Sequence, residues 1–131
     1  MENVEQRAEK AAELKQFYGY NCAQAVSAVL SDQTDLDENT LNRLTAGFCV
    51  GMGNMEATCG SLVAAVMIAG LATEGRATVR YAKRISEAFA AKCGDVTCKK
   101  LKGIDTGRVL CPCDECVMNA VRAYSEVMGL V

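Results

Sequence analysis

Eight cysteines and no histidine in 131 residues confine any soft-metal or redox chemistry of this chain to thiols. A thiolate is both a metal ligand and a nucleophile, so a set of them can hold zinc or an iron–sulfur cluster, or cycle between dithiol and disulfide. The missing histidine removes Cys/His zinc fingers, haem attachment through Cys-x-x-Cys-His, Rieske-type ligation and every nucleophile that relies on a histidine base. Asn21-Cys22, Thr58-Cys59 and Thr97-Cys98 each set a helix-capping residue directly before a cysteine. Cys113 follows Pro112, which suits a first helical position, and precedes Asp114 and Glu115, which suit a first turn. These four thiols are therefore expected to start four helices, where unpaired amide N–H groups and the positive end of the helix dipole favour a thiolate or a ligand to an anionic cluster.

The elements that would position them are helices. The hydrophobic period is helical almost throughout, no period-two segment competes, and one proline and scattered glycines act as punctuation rather than as a linker. Val4 to Tyr18 reads as a surface helix, Asn21 to Leu30 as a second, and Asp37 to Thr45 as a third with Asp37 as its N-cap. Thr58 to Thr73 carries no charge and is expected to be the helix buried on most sides. Thr78 to Lys92 ends at Gly94, Thr97 to Leu101 is one short turn ended by Gly103, and Pro112 to Met128 closes the chain. The expected fold class is all-α, a compact single-domain helical bundle over residues 1–131 with about five main helices and cysteines at helix N-termini.

Apolar residues follow the cysteines at four and seven positions: Val26 and Val29 after Cys22, Val63 and Val66 after Cys59, Val117 and Ala120 after Cys113. Residues so spaced share one helix face, which puts the sulfurs on the buried stripes. Stripes that pack with their cysteine ends together would bring the thiols into one dry pocket lined by N–H donors, a cage suited to an iron–sulfur cluster.

Four stretches carry a resemblance to a known family: Tyr20-Asn21-Cys22-Ala23-Gln24-Ala25-Val26, Thr58-Cys59-Gly60-Ser61-Leu62-Val63-Ala64, Cys98-Lys99-Lys100-Leu101-Lys102-Gly103, and Cys113-Asp114-Glu115-Cys116-Val117. From about Phe17 onward the chain resembles the C_GCAxxG_C_C family of redox-active proteins. Ser61 stands where the family motif has Ala, and Ala64 where it has Gly; both exchanges are small for small and keep room near Cys59. The resemblance implies a helical bundle, electron transfer, and a [2Fe-2S]-type cluster bound by Cys22, Cys59, Cys98 and Cys113.

The remaining cysteines leave other readings open. Cys49, in Gly47-Phe48-Cys49-Val50-Gly51, has apolar neighbours and is expected to pack. Cys93 lies five positions before Cys98, and Cys111, Cys113 and Cys116 form a Cys-Pro-Cys-x-x-Cys run, so Cys93, Cys111 and Cys116 are accessory ligand candidates. One alternative is a dithiol oxidoreductase in which Cys113 attacks and Cys116 resolves, although the strand–helix–strand setting usual for such a motif is missing. Another is structural zinc, which accepts four thiolates and would make the chain an interaction module without turnover. Met52, Met55 and Met67 are expected to fill the core.

Composition bounds the partners. A net charge of -2 and few aromatics argue against nucleic acid. The uncharged stretch at Thr58 to Thr73 is shorter than the roughly 20 apolar residues that cross a bilayer. The charged start of the chain lacks the apolar core of a signal peptide, which points to the cytoplasm, where reduced thiols favour metal or redox roles. Lys99, Lys100, Lys102 and Arg108 cluster near the cysteines and read as a solvated basic surface, one that an acidic redox partner would also fit. A homodimer through the N-terminal helix is the weaker expectation on assembly.

Overall fold

The computed structural model describes residues 2–131 and is built of helices, with no strand among the described residues. Seven α-helices follow one another: α1 (Val4–Phe17), α2 (Cys22–Val29), α3 (Glu38–Thr45), α4 (Gly60–Ala72), α5 (Thr78–Cys93), α6 (Cys98–Lys102) and α7 (Cys113–Met128). A 3-10 turn at Ser31–Gln33 and a π-turn at Gly51–Met55 sit in the connections. The all-α bundle expected from the hydrophobic period is the observed fold, and the helix boundaries agree to within a few residues.

α7 runs through the centre, packed against α1, α2, α4 and α5, and α4 in turn packs against α2 and α5. The core is made of Phe89, Tyr124, Ile68, Ile85, Leu62 and Val121 set among fully buried alanines at 8, 11, 23, 25, 64, 65, 69, 120 and 123. So many small side chains let helix backbones approach closely, which suits a short chain with few aromatic residues. α4 is the most apolar helix, as its lack of charge predicts, with Leu62, Ala65 and Ala69 fully or nearly fully buried. The apolar side of α1, Ala8 and Ala11, is buried within the chain; Arg7 fixes this helix to the Val29 carbonyl at 2.8 Å and Asp32 at 2.7 Å, and Arg122 of α7 reaches Glu5 at 2.9 Å.

Two terminus expectations need correction. Thr58 does not cap α4: Cys59 is itself the N-cap, and Thr58 pairs with Thr97 in an isolated antiparallel bridge. The helix therefore starts one residue later than expected, and packing against α2, α5 and α7 buries Leu62 and Ala65 while Val63 and Val66 are only half-buried. Pro112 is the N-cap of α7 and Cys113 its first residue, so the proline lies just outside the helix it was expected to begin. Asp37 caps α3 as expected, accepting the Thr40 amide at 2.7 Å, and Gly94 and Gly103 end α5 and α6 in left-handed conformations.

Candidate functional site

Asn21 and Gln24 build the first part of the site. The Asn21 side chain accepts the Gln24 amide at 2.9 Å, and the Gln24 side chain accepts the Asn21 amide at 3.0 Å, a reciprocal cap that satisfies two free N–H groups and sets Cys22 as the first residue of α2. The same two side chains donate to α3 and the residue after it, Asn21 to the Ala46 carbonyl and Gln24 to the Asn42 carbonyl, both at 3.1 Å. Cys22 is thereby held by polar groups on both sides of its helix start.

Cys59 and Cys98 are placed together by backbone. The Cys59 amide donates to the Val96 carbonyl at 2.7 Å and the Cys98 amide to the Ala57 carbonyl at 3.1 Å, so the starts of α4 and α6 lie side by side. Asp95 stiffens the approach by accepting the Val96 amide at 2.7 Å and the Thr97 amide at 2.9 Å. Gly60 is required here: a Cβ on it would stand 2.5 Å from the Phe48 carbonyl oxygen and 3.2 Å from the Cys22 sulfur. The end of α1 meets the start of α7 through Lys15, 3.5 Å from Asp114, and Gln16, which donates to the same carboxylate.

These contacts gather the cysteines at one end of the bundle. Cys22, Cys59, Cys98 and Cys113 all line one pocket of about 230 Å³, together with Cys49, Cys111 and Cys116. Cys93, the last residue of α5, lies behind it against Cys111 and Cys116. All eight are free thiols; Cys49 and Cys113 are half-buried and the other six buried. Lys15, Lys102, Gly60 and Ser61 complete the part of the wall that bears on its chemistry.

Within this assembly, Cys93, Cys111 and Cys116 form the tightest group, their sulfurs all within 4.8 Å of one another. Two sulfurs on a single zinc ion are at most about 4.6 Å apart, twice the Zn–S bond, so a small contraction of this trio could hold one ion. Among the described residues it is the one set of three or more potential ligands so gathered. The four cysteines expected to bind a cluster are not gathered so closely; they line the cavity.

The thiols divide into two electrostatic classes. The Cys116 thiol, with help from the Ser61 and Leu62 amides and the Ser61 hydroxyl, outweighs burial and lowers Cys59 to about 6, although the Cys59 sulfur makes no close capping hydrogen bond. The Cys116 thiol likewise lowers Cys93 to about 7, aided by Asn119 Nδ2, which donates to the Cys93 sulfur at 3.4 Å. Cys116 is itself driven strongly up by donating to Cys59 and Cys93 and by burial, so it is the hydrogen-bond donor of the three. Burial pushes Cys22 and Cys111 up to about 12, and raises Cys98 against the pull of the Lys102 ammonium. Burial works against the charge on Lys102, but Cys113, Cys98, Cys49 and Cys22 outweigh it and raise its pKa.

The profile of the C_GCAxxG_C_C family, described as "Putative redox-active protein (C_GCAxxG_C_C)", matches residues 20–127. The chain belongs to the C_GCAxxG_C_C family. Neither the curated proteins nor the solved structures contain a match to it. In this C_GCAxxG_C_C protein the matched region begins at the Tyr20 that donates to Glu38 at 2.6 Å and covers every cysteine.

Several contributors were not legible as such. Asn119 is buried beside Cys93 and Cys111; its clue is a polar residue three positions after Cys116 on an otherwise apolar stripe. Ser61 is more than a small filler, since it is fully buried at the pocket wall and both its amide and its hydroxyl favour the charge on Cys59. Cys49 packs against the core as expected but also meets the Cys22 sulfur at 3.6 Å. Met67 packs against the core, whereas Met52 is exposed because the left-handed turn around it points away from the bundle. Lys99 and Lys100 pair with Glu56, Asp105 and Asp95, and no helix among the described residues is long and apolar enough to cross a membrane.

Proposed function

We propose that this protein is an electron carrier whose pocket holds a thiolate-bound iron–sulfur centre, with Cys22, Cys59, Cys98 and Cys113 as the ligand set. The observation that carries the reading is the convergence of seven thiols on one cavity, with Lys102 on the same wall. The donor set fits such a group: it is all sulfur and includes Cys59, whose pKa is lowered to about 6. Gly60 leaves room beside Cys22 that any side chain would fill. When bound, the centre would supply one-electron transfer. Lys102 would offset its negative charge, and the largely buried wall would limit water.

A second reading has its own observation. The closeness of the Cys93, Cys111 and Cys116 sulfurs favours a single thiolate-bound ion such as zinc, which would act structurally. Dithiol exchange through Cys113 and Cys116 has less support, because the Cys116 sulfur is engaged with Cys59, Cys93 and Cys111. The electron-carrier reading takes the protein to be cytoplasmic, to meet a separate redox partner protein, and to need neither nucleic acid nor membrane; a homodimer is compatible with it.

Anaerobic purification followed by iron, acid-labile sulfide and visible absorption on one sample, before and after dithionite, tests the reading. Iron with sulfide and a bleachable band is expected, and serine at any of Cys22, Cys59, Cys98 or Cys113 should abolish loading. Loading that survives each of the four replacements overturns the ligand set. Zinc without colour supports the single-ion reading, and metal-free protein with titratable thiols supports dithiol exchange.

A further inference from the structure

Cys22 and Cys49 are 27 residues apart in sequence, yet the Cys22 thiol donates to the Cys49 sulfur at 3.6 Å. A disulfide needs about 2.05 Å between sulfurs, so the pair is short of a bond by about 1.5 Å of movement. The backbone beyond Cys49 is suited to that movement. Val50, Met52 and Met55 hold left-handed φ of 57°, 64° and 65°, a conformation that stores strain in residues with a side chain, and Gly51 and Gly53 interrupt them. The two cysteines also differ in access: both line the pocket, but Cys49 is half-buried and Cys22 is buried. Neither belongs to the trio of Cys93, Cys111 and Cys116.

We infer that Cys22 and Cys49 are a redox-active pair that an anionic low-molecular-weight disulfide oxidises to a disulfide at the pocket wall. The Cys49 sulfur attacks one sulfur of the small disulfide, forming a mixed disulfide and releasing the first small thiol, which takes the Cys49 proton. Cys22 then attacks the Cys49 sulfur, the Cys22–Cys49 bond forms, and the second small thiol leaves with the Cys22 proton. Two protein thiols are oxidised and one small disulfide is reduced to two thiols. The Lys102 ammonium on the same wall accounts for the preference for an anionic oxidant. The bond also takes Cys22 out of the ligand set; this consequence, unlike the pair itself, rests on the electron-carrier reading.

The test incubates the full chain, as purified and after metal removal with a chelator, anaerobically in graded mixtures of oxidised and reduced glutathione. Denaturing N-ethylmaleimide then quenches the samples for peptide mapping. The first crosslink in the metal-free chain should join Cys22 to Cys49, with Cys93, Cys111 and Cys116 still alkylated. Cys22→Ser should trap glutathione on Cys49, and Cys49→Ser should give neither product. A first crosslink between any other pair, or an unmodified Cys49 in Cys22→Ser, overturns the inference. Iron and sulfide are assayed on the same samples: colourless protein that crosslinks as expected refutes the electron carrier and keeps the pair. Protein that loads iron and sulfide yet never crosslinks after stripping does the reverse.

Discussion

Asn119 donates from Nδ2 to the Cys93 sulfur at 3.4 Å and reaches the Cys111 sulfur at 4.0 Å, so one carboxamide on α7 ties the end of α5 to the loop before α7. Its oxygen is held in turn by Arg122 at 2.9 Å. The site thus rests on a polar side chain that is itself oriented by a second one.

Replacing Asn119 by Ala removes a donor to the Cys93 sulfur and one acceptor of Arg122, which keeps its pairing with Glu5. The Cys93 pKa should rise from about 7, only in part because the Cys116 thiol is the larger influence, and stability should fall by about 1–3 kcal/mol. The pH dependence of Cys93 alkylation, followed by peptide mapping, reads the first effect, and a urea melt reads the second. An unchanged alkylation profile would assign Cys93 entirely to its sulfur neighbours.

Gly60→Ala drives a methyl group to within 2.5 Å of the Phe48 carbonyl oxygen and 3.2 Å of the Cys22 sulfur. A clash with backbone cannot be relieved by a rotamer change, so a loss of about 1–3 kcal/mol is expected in urea denaturation, together with poorer metal loading. Wild-type stability and loading in this variant would mean that the loop at Phe48 yields freely.

Stability of the reduced, metal-free protein should be greatest near pH 9. Cys59 at about 6 and Cys93 at about 7 lie below the ordinary thiol value, so their contribution is full above that value and is lost as pH falls through 7 and 6. Cys22 and Cys111 at about 12 lie above it, so their contribution is full below the ordinary value and is lost as pH rises toward 12. Urea midpoints across this range test both limbs. Cys59→Ser should make the acid limb shallower, leaving the part that Cys93 supplies.

Metal titration separates the trio from the rest of the pocket. Cys111→Ser should weaken zinc binding by about ten-fold or more, because it removes one of three gathered sulfurs, whereas Cys22→Ser should leave that affinity unchanged. Competition with a chromophoric chelator measures both, and equal losses in the two variants would place the zinc in the cavity instead.

The helices were legible because their signals are local. Asn21 before Cys22, Asp37 before Glu38, and Gly94 and Gly103 at helix ends act within a turn of themselves, and each behaves as its chemistry predicts. Thr58 failed as a cap because its segment found a partner 39 residues away in Thr97, and a bridge of that span leaves no trace in a local pattern. The buried face of α4, Leu62 and Ala65 rather than Val63 and Val66, was likewise set by its packing against α2, α5 and α7.

Sequence by itself determined that the chain is helical, that thiols are the chemistry, and that Cys22, Cys98 and Cys113 open helices; it expected Cys59 to open one too, and the structure places that residue one position ahead of α4. These follow from residue types and from spacing within a few positions. Only the tertiary structure decided which sulfurs meet: Cys22 with Cys49, and Cys93 with Cys111 and Cys116. It also decided which sulfurs are ionised, since Cys59 and Cys22 both stand at helix starts yet diverge to about 6 and about 12. The helix dipole and near-complete burial are common to both, so what separates them is their neighbours: Cys116 and the Ser61 and Leu62 amides favour the charge on Cys59, whereas Cys49 and Cys59 oppose it on Cys22.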